Sequence, residues 1–407
     1  MAEVFDLVLG RCRLPDGREA DIGCRDGRIA EVGDLRGRSA ARAVDCGGRV
    51  ATPGLVEAHI HLDKAYLSDR TPSVEGTLDE AIRVTGLAKR RFTIDDIRAR
   101  ARRVLDLAIV HGTTAMRSHV EIDPIVGLTG LEAILPLKRE YESALDLQLC
   151  AFAQEGILQA PGTEALLARA LAAGADLVGG CPYNDTHARD HIDIVFRLAR
   201  EFGVDADFHA DFFDEPERLH VEYIAEQTVR HGWQGRVAVG HLTELASVPP
   251  AERDRLIAVI REAGLGVIML PATDLYLMGR KDSHAVRRGL APARHLLAAG
   301  IPVAAASNNV RNAFTPVGTA DLALMGFLVA IGCHMGTQSD LLDVLAMLTR
   351  HPAQILRITD YGLDAGCRAD LVVWEAERAD EVVATLAPRH LVVKRGHVTV
   401  EPRASPR

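Results

Sequence analysis

The chain has 407 residues, 48% of them hydrophobic and 25% charged, with a formal net charge of -9, a globular composition with room for one large domain and a smaller one. The acidic balance gives nucleic acid or an anionic membrane no electrostatic hold, so the expected partner is a small-molecule substrate, with no nucleic acid and no membrane. Seven cysteines without a Cys-x-x-Cys pair argue against a disulfide framework or a thiolate zinc site and suit a reducing compartment.

The N-terminus lacks the basic and apolar regions of a signal peptide, and no long apolar run follows, so a cytoplasmic location is expected. Over the first fifty residues, short apolar segments at 7–9, 20–23 and 29–32 alternate with the turn signals Asp16-Gly17 and Asp26-Gly27, the pattern of a small β unit. It returns at 369–374, 390–393 and 398–400 around Arg395-Gly396. The two ends are expected to pair into one β-sandwich made of residues 1–54 and 355–407.

Between them, strand-like runs fall at 55–61, 113–120, 147–152, 177–180, 205–210, 236–241, 266–270 and 303–307. Helical patterns separate most of them, at 164–173, 191–202, 221–230, 251–263 and 291–298. Thr93-Ile94-Asp95-Asp96 has capping-box spacing and starts a helix running to His111. The basic stretch 89–103 reads as a solvated helix face. Eight β/α units over 55–354 predict an α/β fold, a (β/α)8 TIM-like barrel with catalytic groups at the C-terminal strand ends. An open doubly wound sheet is the alternative, but no Gly-x-Gly-x-x-Gly follows the first strand.

His59 and His61, at the end of the first predicted strand, project to the same side because strand side chains alternate. They can therefore share one metal ion. His119, His209 and His241 end the second, fifth and sixth strands, so five of the 16 histidines gather where barrel ligands belong. Any one of them alone reads as a hydrogen-bonded core imidazole; together they read as a site. Imidazoles suit divalent first-row metals, and no Pro-Cys-x-x-Cys exists to build the zinc nucleobase deaminase site.

The segment Pro53-Gly54-Leu55-Val56-Glu57-Ala58-His59-Ile60-His61-Leu62-Asp63 resembles the opening motif of the amidohydrolase superfamily, in its cytosine deaminase and N-isopropylammelide hydrolase branch. Arg117-Ser118-His119-Val120, Phe152-Ala153-Gln154-Glu155-Gly156-Ile157-Leu158, Asp207-Phe208-His209-Ala210-Asp211, Gly240-His241 and Pro316-Val317-Gly318-Thr319-Ala320 are similar to later motifs, and Ala369-Asp370-Leu371-Val372-Val373-Trp374 to the strand returning to the sandwich. The resemblance implies one divalent metal ion (Zn, Fe, Co or Mn) bound by His59, His61, His209 and a residue after strand 8, with a bound hydroxide attacking the substrate carbon and His241 beside it. Gln154 matches the glutamine that meets a ring amide. Substrate would also be lined by His119, Tyr183, Phe212, Phe314 and Asn309, and a homo-oligomer is implied.

Two positions depart from that pattern. Phe212 stands where the deaminases carry a proton-shuttling glutamate, and Asn308 stands where they carry a metal-binding aspartate that also acts as base. Asparagine cannot take a proton at neutral pH, although its carbonyl oxygen can ligate a metal or orient a water. Candidates for the missing proton carrier are His241, Asp211 and Asp214, unless the leaving group needs little protonation. Asp63 and Lys64 reach the barrel mouth or form a local ion pair. The reading is a metal-dependent hydrolase of a non-peptide carbon–nitrogen bond in a small, cyclic amide, amidine or N-substituted heterocycle. A deaminase of a cytosine-like ring is the enzymatic alternative. A catalytically impaired relative that only binds a small molecule is the alternative from another class.

Overall fold

The computed structural model describes residues 4–213 and 219–401; Asp214 lies outside them. Five strands come first: β1 (Phe5–Arg13), β2 (Glu19–Arg25), β3 (Arg28–Gly33), β4 (Ala40–Asp45) and β5 (Ala51–Pro53). The β2–β3 hairpin turns at Asp26-Gly27, both with positive φ (51° and 74°), the primed geometry that matches strand twist. Eight barrel strands follow: β6 (Leu55–Ile60), β7 (Thr113–Glu121), β8 (Asp146–Ala153), β9 (Leu177–Gly180), β10 (Asp205–Ala210), β11 (Val237–His241), β12 (Gly266–Met269) and β13 (Val303–Ala305). The chain ends with β14 (Leu371–Trp374), β15 (Arg389–Lys394) and β16 (His397–Val400).

β6 to β13 form one parallel sheet in sequential order. A bridge between Ile60 and Asn308 joins its last strand to its first. The molecule is thus a (β/α)8 barrel, and its strands lie within a few residues of the runs read from the sequence. They are easy to read because both faces are buried, which makes the runs nearly continuously apolar. The terminal strands form two four-stranded sheets, ordered β3-β2-β1-β4 and β16-β15-β14-β5. Leu7, Leu9, Ile22 and Cys24 pack on Leu371, Val373, Leu391 and Val393 to make one core between the sheets. β5 pairs antiparallel with β14, so the two ends of the chain do meet.

The barrel floor is apolar: Val56, Ala58, Ala115, Ala238, Ile268 and Ala304 meet Ala353, Ile355 and Leu356. Ile355 and Leu356, which help close it, lie at the expected 354/355 boundary. Ile94–Val110 is a helix, with the Thr93 side chain accepting from Asp96 N as the capping spacing predicts. The basic stretch is not a single solvated face. It spans the ends of two helices, and Lys89 and Arg100 are buried, with Arg100 donating to the carbonyls of Asp63 and Ala65. Among the described residues, no helix is long and apolar enough to cross a membrane.

Candidate metal and catalytic site

His59 and His61 leave the end of β6 on one side, and His209 faces them from β10. His59 Nε2 and His61 Nε2 each lie 3.1 Å from His209 Nε2. Three buried imidazoles thus aim one nitrogen each at a common point, while their Nδ1 atoms have no partner among the described residues. Burial first, then crowding by the neighbouring imidazoles and, for His59 and His61, by Lys64, push all three well below the usual imidazole range, so they are neutral, the form that ligates a metal. Asn308 closes the group from the far side of the seam: its N–H donates to His59 O and its carbonyl accepts from His61 N, both at 2.8 Å. Its side-chain Oδ1 is buried and unpartnered among the described residues, and its φ of 57° is one that asparagine tolerates better than most residues. Three imidazole nitrogens and one free carboxamide oxygen fit a divalent first-row ion.

His241 lies next to this group, with its ring centroid 5.3 Å from that of His209. Its Nδ1 is 2.7 Å from Asp274 Oδ1, on the helix Pro271–Leu277. Asp274 Oδ2 accepts from Leu270 N, so the carboxylate is itself fixed. Burial raises the Asp274 carboxyl, opposed by His241. No sequence motif pointed to Asp274; the only signal is an acidic residue just after a barrel strand. Asp211, His241, Leu242 and Asn308 all have positive φ, and non-glycine residues held in this region cluster at functional sites.

His119 stacks on His59 with centroids 3.9 Å apart, and its Nε2 lies 3.3 Å from Asp207 Oδ1. Asp207 is in turn 2.8 Å from Arg117. His119 therefore packs on a candidate ligand, and His59, His119 and Asp207 form a further group of potential ligands. Asp211 points its two carboxylate oxygens at the backbone N–H groups of His220 and Val221, from which they accept, so it is tied to the start of the helix Val221–His231. Asn309 Oδ1 accepts from Asn312, so its side chain is engaged within its own loop. Asp185, after β9, accepts from the N–H groups of Ile157, Leu158 and Gln159 and organises a neighbouring loop.

Phe212, Phe314 and Tyr183 do come together, in one apolar cluster with Ala81, Leu277 and Met278. Phe212 stacks on the His241 ring at 3.9 Å. A cavity of about 410 Å³ is lined by Leu78, Ile82, Tyr183, Phe212, Phe213 and Met278, at the C-terminal mouth. Gln154 Oε1 accepts from Lys64 at 3.2 Å, and Lys64 also donates to Glu121 at 2.7 Å and lies over the Phe314 ring. Lys64 thus pairs with Glu121, not with adjacent Asp63, whose Oδ2 accepts from Glu121 N. Glu121, Asp123 and Glu155 sit close enough to suggest a second cation site, but the Lys89 ammonium already contacts all three.

The family model for the amidohydrolase family matches residues 42–400. The chain belongs to the amidohydrolase family. This amidohydrolase is 28% identical over 410 residues, 98% of each chain, to N-isopropylammelide isopropyl amidohydrolase of Pseudomonas sp. strain ADP. Its fold is similar to 5-methylcytosine deaminase from Klebsiella pneumoniae bound to 5-fluorocytosine, with a TM-score of 0.93, 30% identity and 98% of both chains covered. N-isopropylammelide isopropylaminohydrolase from Burkholderia multivorans is similar at a TM-score of 0.85 and 29% identity, over 97% of this amidohydrolase and 98% of that chain. It is a hydrolase of carbon–nitrogen bonds other than peptide bonds.

Proposed function

We propose that this amidohydrolase cleaves the bond between a ring carbon and an exocyclic nitrogen in a small, flat nitrogen heterocycle. One divalent ion (Zn, Fe, Co or Mn) is held by His59, His61, His209 and Asn308. The reading is carried by three neutral imidazole nitrogens converging, with Asn308, whose carboxamide oxygen is unpartnered among the described residues, hydrogen-bonded to the backbone of His59 and His61. When bound, such an ion supplies Lewis acidity that brings a coordinated water from pKa 15.7 to about 7.

The protein's own groups do the rest. His241, with Nδ1 taken by Asp274, offers Nε2 to receive the proton of the attacking water. Gln154, fixed by Lys64 through its Oε1, presents its amide to a ring amide or amidine edge. Phe212, Phe314 and Tyr183 give a flat ring apolar faces and exclude bulk water. His119 positions His59, and Asp211 holds a helix start. The 5-methylcytosine deaminase similarity favours a second reading, in which the departing group is ammonia in place of an alkylamine. We further infer a cytoplasmic homo-oligomer, with its sandwich drawn from residues 1–54 and 355–407.

The test is metal content by plasma mass spectrometry, wild type beside His209→Ala, followed by turnover of amino- and N-alkylamino-substituted pyrimidines and triazines. About one ion per chain, lost in the variant, together with release of amine or ammonia, supports the reading; absence of metal from protein grown with each of the four ions overturns it. Full metal without turnover leaves the binding-protein alternative.

A further inference from the structure

The reaction proposed above requires a proton for the departing nitrogen. Phe212 has none to give, and the Asp211 carboxylate is held at a helix start by two backbone N–H groups. Glu244 stands three residues past His241, on the turn Thr243–Ala246 that follows β11 at the catalytic end of the barrel. Its side chain is buried, with the residue only 1% exposed. Oε1 accepts from Phe213 N at 2.7 Å and from Thr243 Oγ1 at 3.2 Å. Oε2 has no hydrogen-bond partner among the described residues.

A buried carboxylate with one oxygen unpaired is costly, and such a group keeps its proton instead. Burial, and secondarily the Asp211 carboxylate, push the Glu244 carboxyl up to about 9. A protonated carboxyl is a donor, and Oε2 is the oxygen free to carry the hydrogen. Its surroundings connect it to the substrate space. Phe213, whose N–H it binds, lines the mouth cavity together with Tyr183.

We propose that Glu244 is the general acid of this site, protonating the nitrogen that leaves the ring; the proposal rests on the hydrolase reading above. Water gives its oxygen and one hydrogen to the ring carbon and its other proton to His241. The electron pair of the carbon–nitrogen bond goes to nitrogen as that atom takes the Glu244 proton and departs as amine or ammonia. The proton on His241 returns to the Glu244 carboxylate through solvent, so one water is consumed.

The experiment compares metal-loaded wild type, Glu244→Gln and Glu244→Asp on one heterocycle carrying either an alkylamino group or a halide at the reacting carbon. The expected result is a loss of about 10²- to 10⁴-fold for Glu244→Gln on the amine, a loss at least tenfold smaller on the halide, which leaves without a proton, and partial recovery in Glu244→Asp. Metal content should not change. Infrared difference spectra of wild type against Glu244→Gln at pH 7 should show a protonated carboxyl stretch. Equal losses on both leaving groups, undiminished amine turnover, or absence of the carboxyl band would each overturn the assignment. Wild-type protein that carries its ion but cleaves neither compound would instead overturn the hydrolase reading on which the proposal stands, and the infrared result would separate the two failures.

Discussion

Asp274 lies 2.7 Å from His241 Nδ1, and an imidazole has only two nitrogens. That contact makes Nδ1 the protonated one and leaves Nε2 as the acceptor a general base needs. Asp274→Asn can offer its N–H to the ring and select the wrong tautomer, so kcat is expected to fall about 10²-fold or more with KM little changed, as steady-state kinetics would record. Asn308→Asp adds a charged oxygen to the ion group, and chelator competition should show tighter metal retention, by about tenfold or more. Glu244 also has a stability signature. Its folded pKa, about 9, lies above its unfolded value, so its contribution is complete below about pH 4 and is lost as pH rises through 9. Asp211 and Tyr183 are the titratable groups around it. Thermal melts of Glu244→Gln should therefore decline less than wild type between pH 7 and 9. His59 and His61 could be read from the sequence as a pair because strand alternation sets their common side, whereas His241, with its left-handed backbone, was signalled only by its place at a strand end. Asp211 could not be read, because its residue type suggests an acid while a left-handed backbone turns its oxygens to a helix start. Asp274 and Glu244 were hidden because their significance lies in partners brought near only by the folded loops.

The helix Leu78–Lys89 covers the mouth. Leu78, Ala81 and Ile82 join the cluster with Phe212 and Phe314, and Lys89 at its last turn contacts Glu121, Asp123 and Glu155. Burial works against the ammonium, but the three carboxylates outweigh it and keep it charged. Lys89→Ala strands those carboxylates, and denaturant unfolding should show a loss of about 3–5 kcal/mol, with faster proteolysis of the segment before the helix. That segment is gathered by Glu80, whose carboxylate accepts from Ser73 Oγ and from the N–H groups of Val74, Glu75 and Gly76. A signal for this helix was present in the sequence. Thr77-Leu78-Asp79-Glu80 has the spacing that marked Thr93, and the Thr77 side chain accepts from Glu80 N. It escapes notice because the apolar face of the helix meets loop residues of the mouth, which carry no periodic pattern of their own.

At the scale of the whole molecule, eight parallel strands were legible because each is an apolar run closed by turn residues. The sandwich was legible only as two similar ends, since the pairing of β5 with β14 spans more than three hundred residues. Ion binding to the folded state alone should stabilise the entire chain, by about 4 kcal/mol at a thousandfold excess over Kd. Calorimetry of wild type should then show a marked fall in Tm on chelation, and His209→Ala should show almost none. The bridge of Asn308 across to His59 and His61 gives this coupling a location. The seam that completes the cylinder runs through the same residues proposed to gather the ion, so in that proposal the seam cannot part without dismantling the coordination sphere. Deuterium uptake at the His61 and Asn308 amides is therefore a gauge of occupancy that needs no substrate.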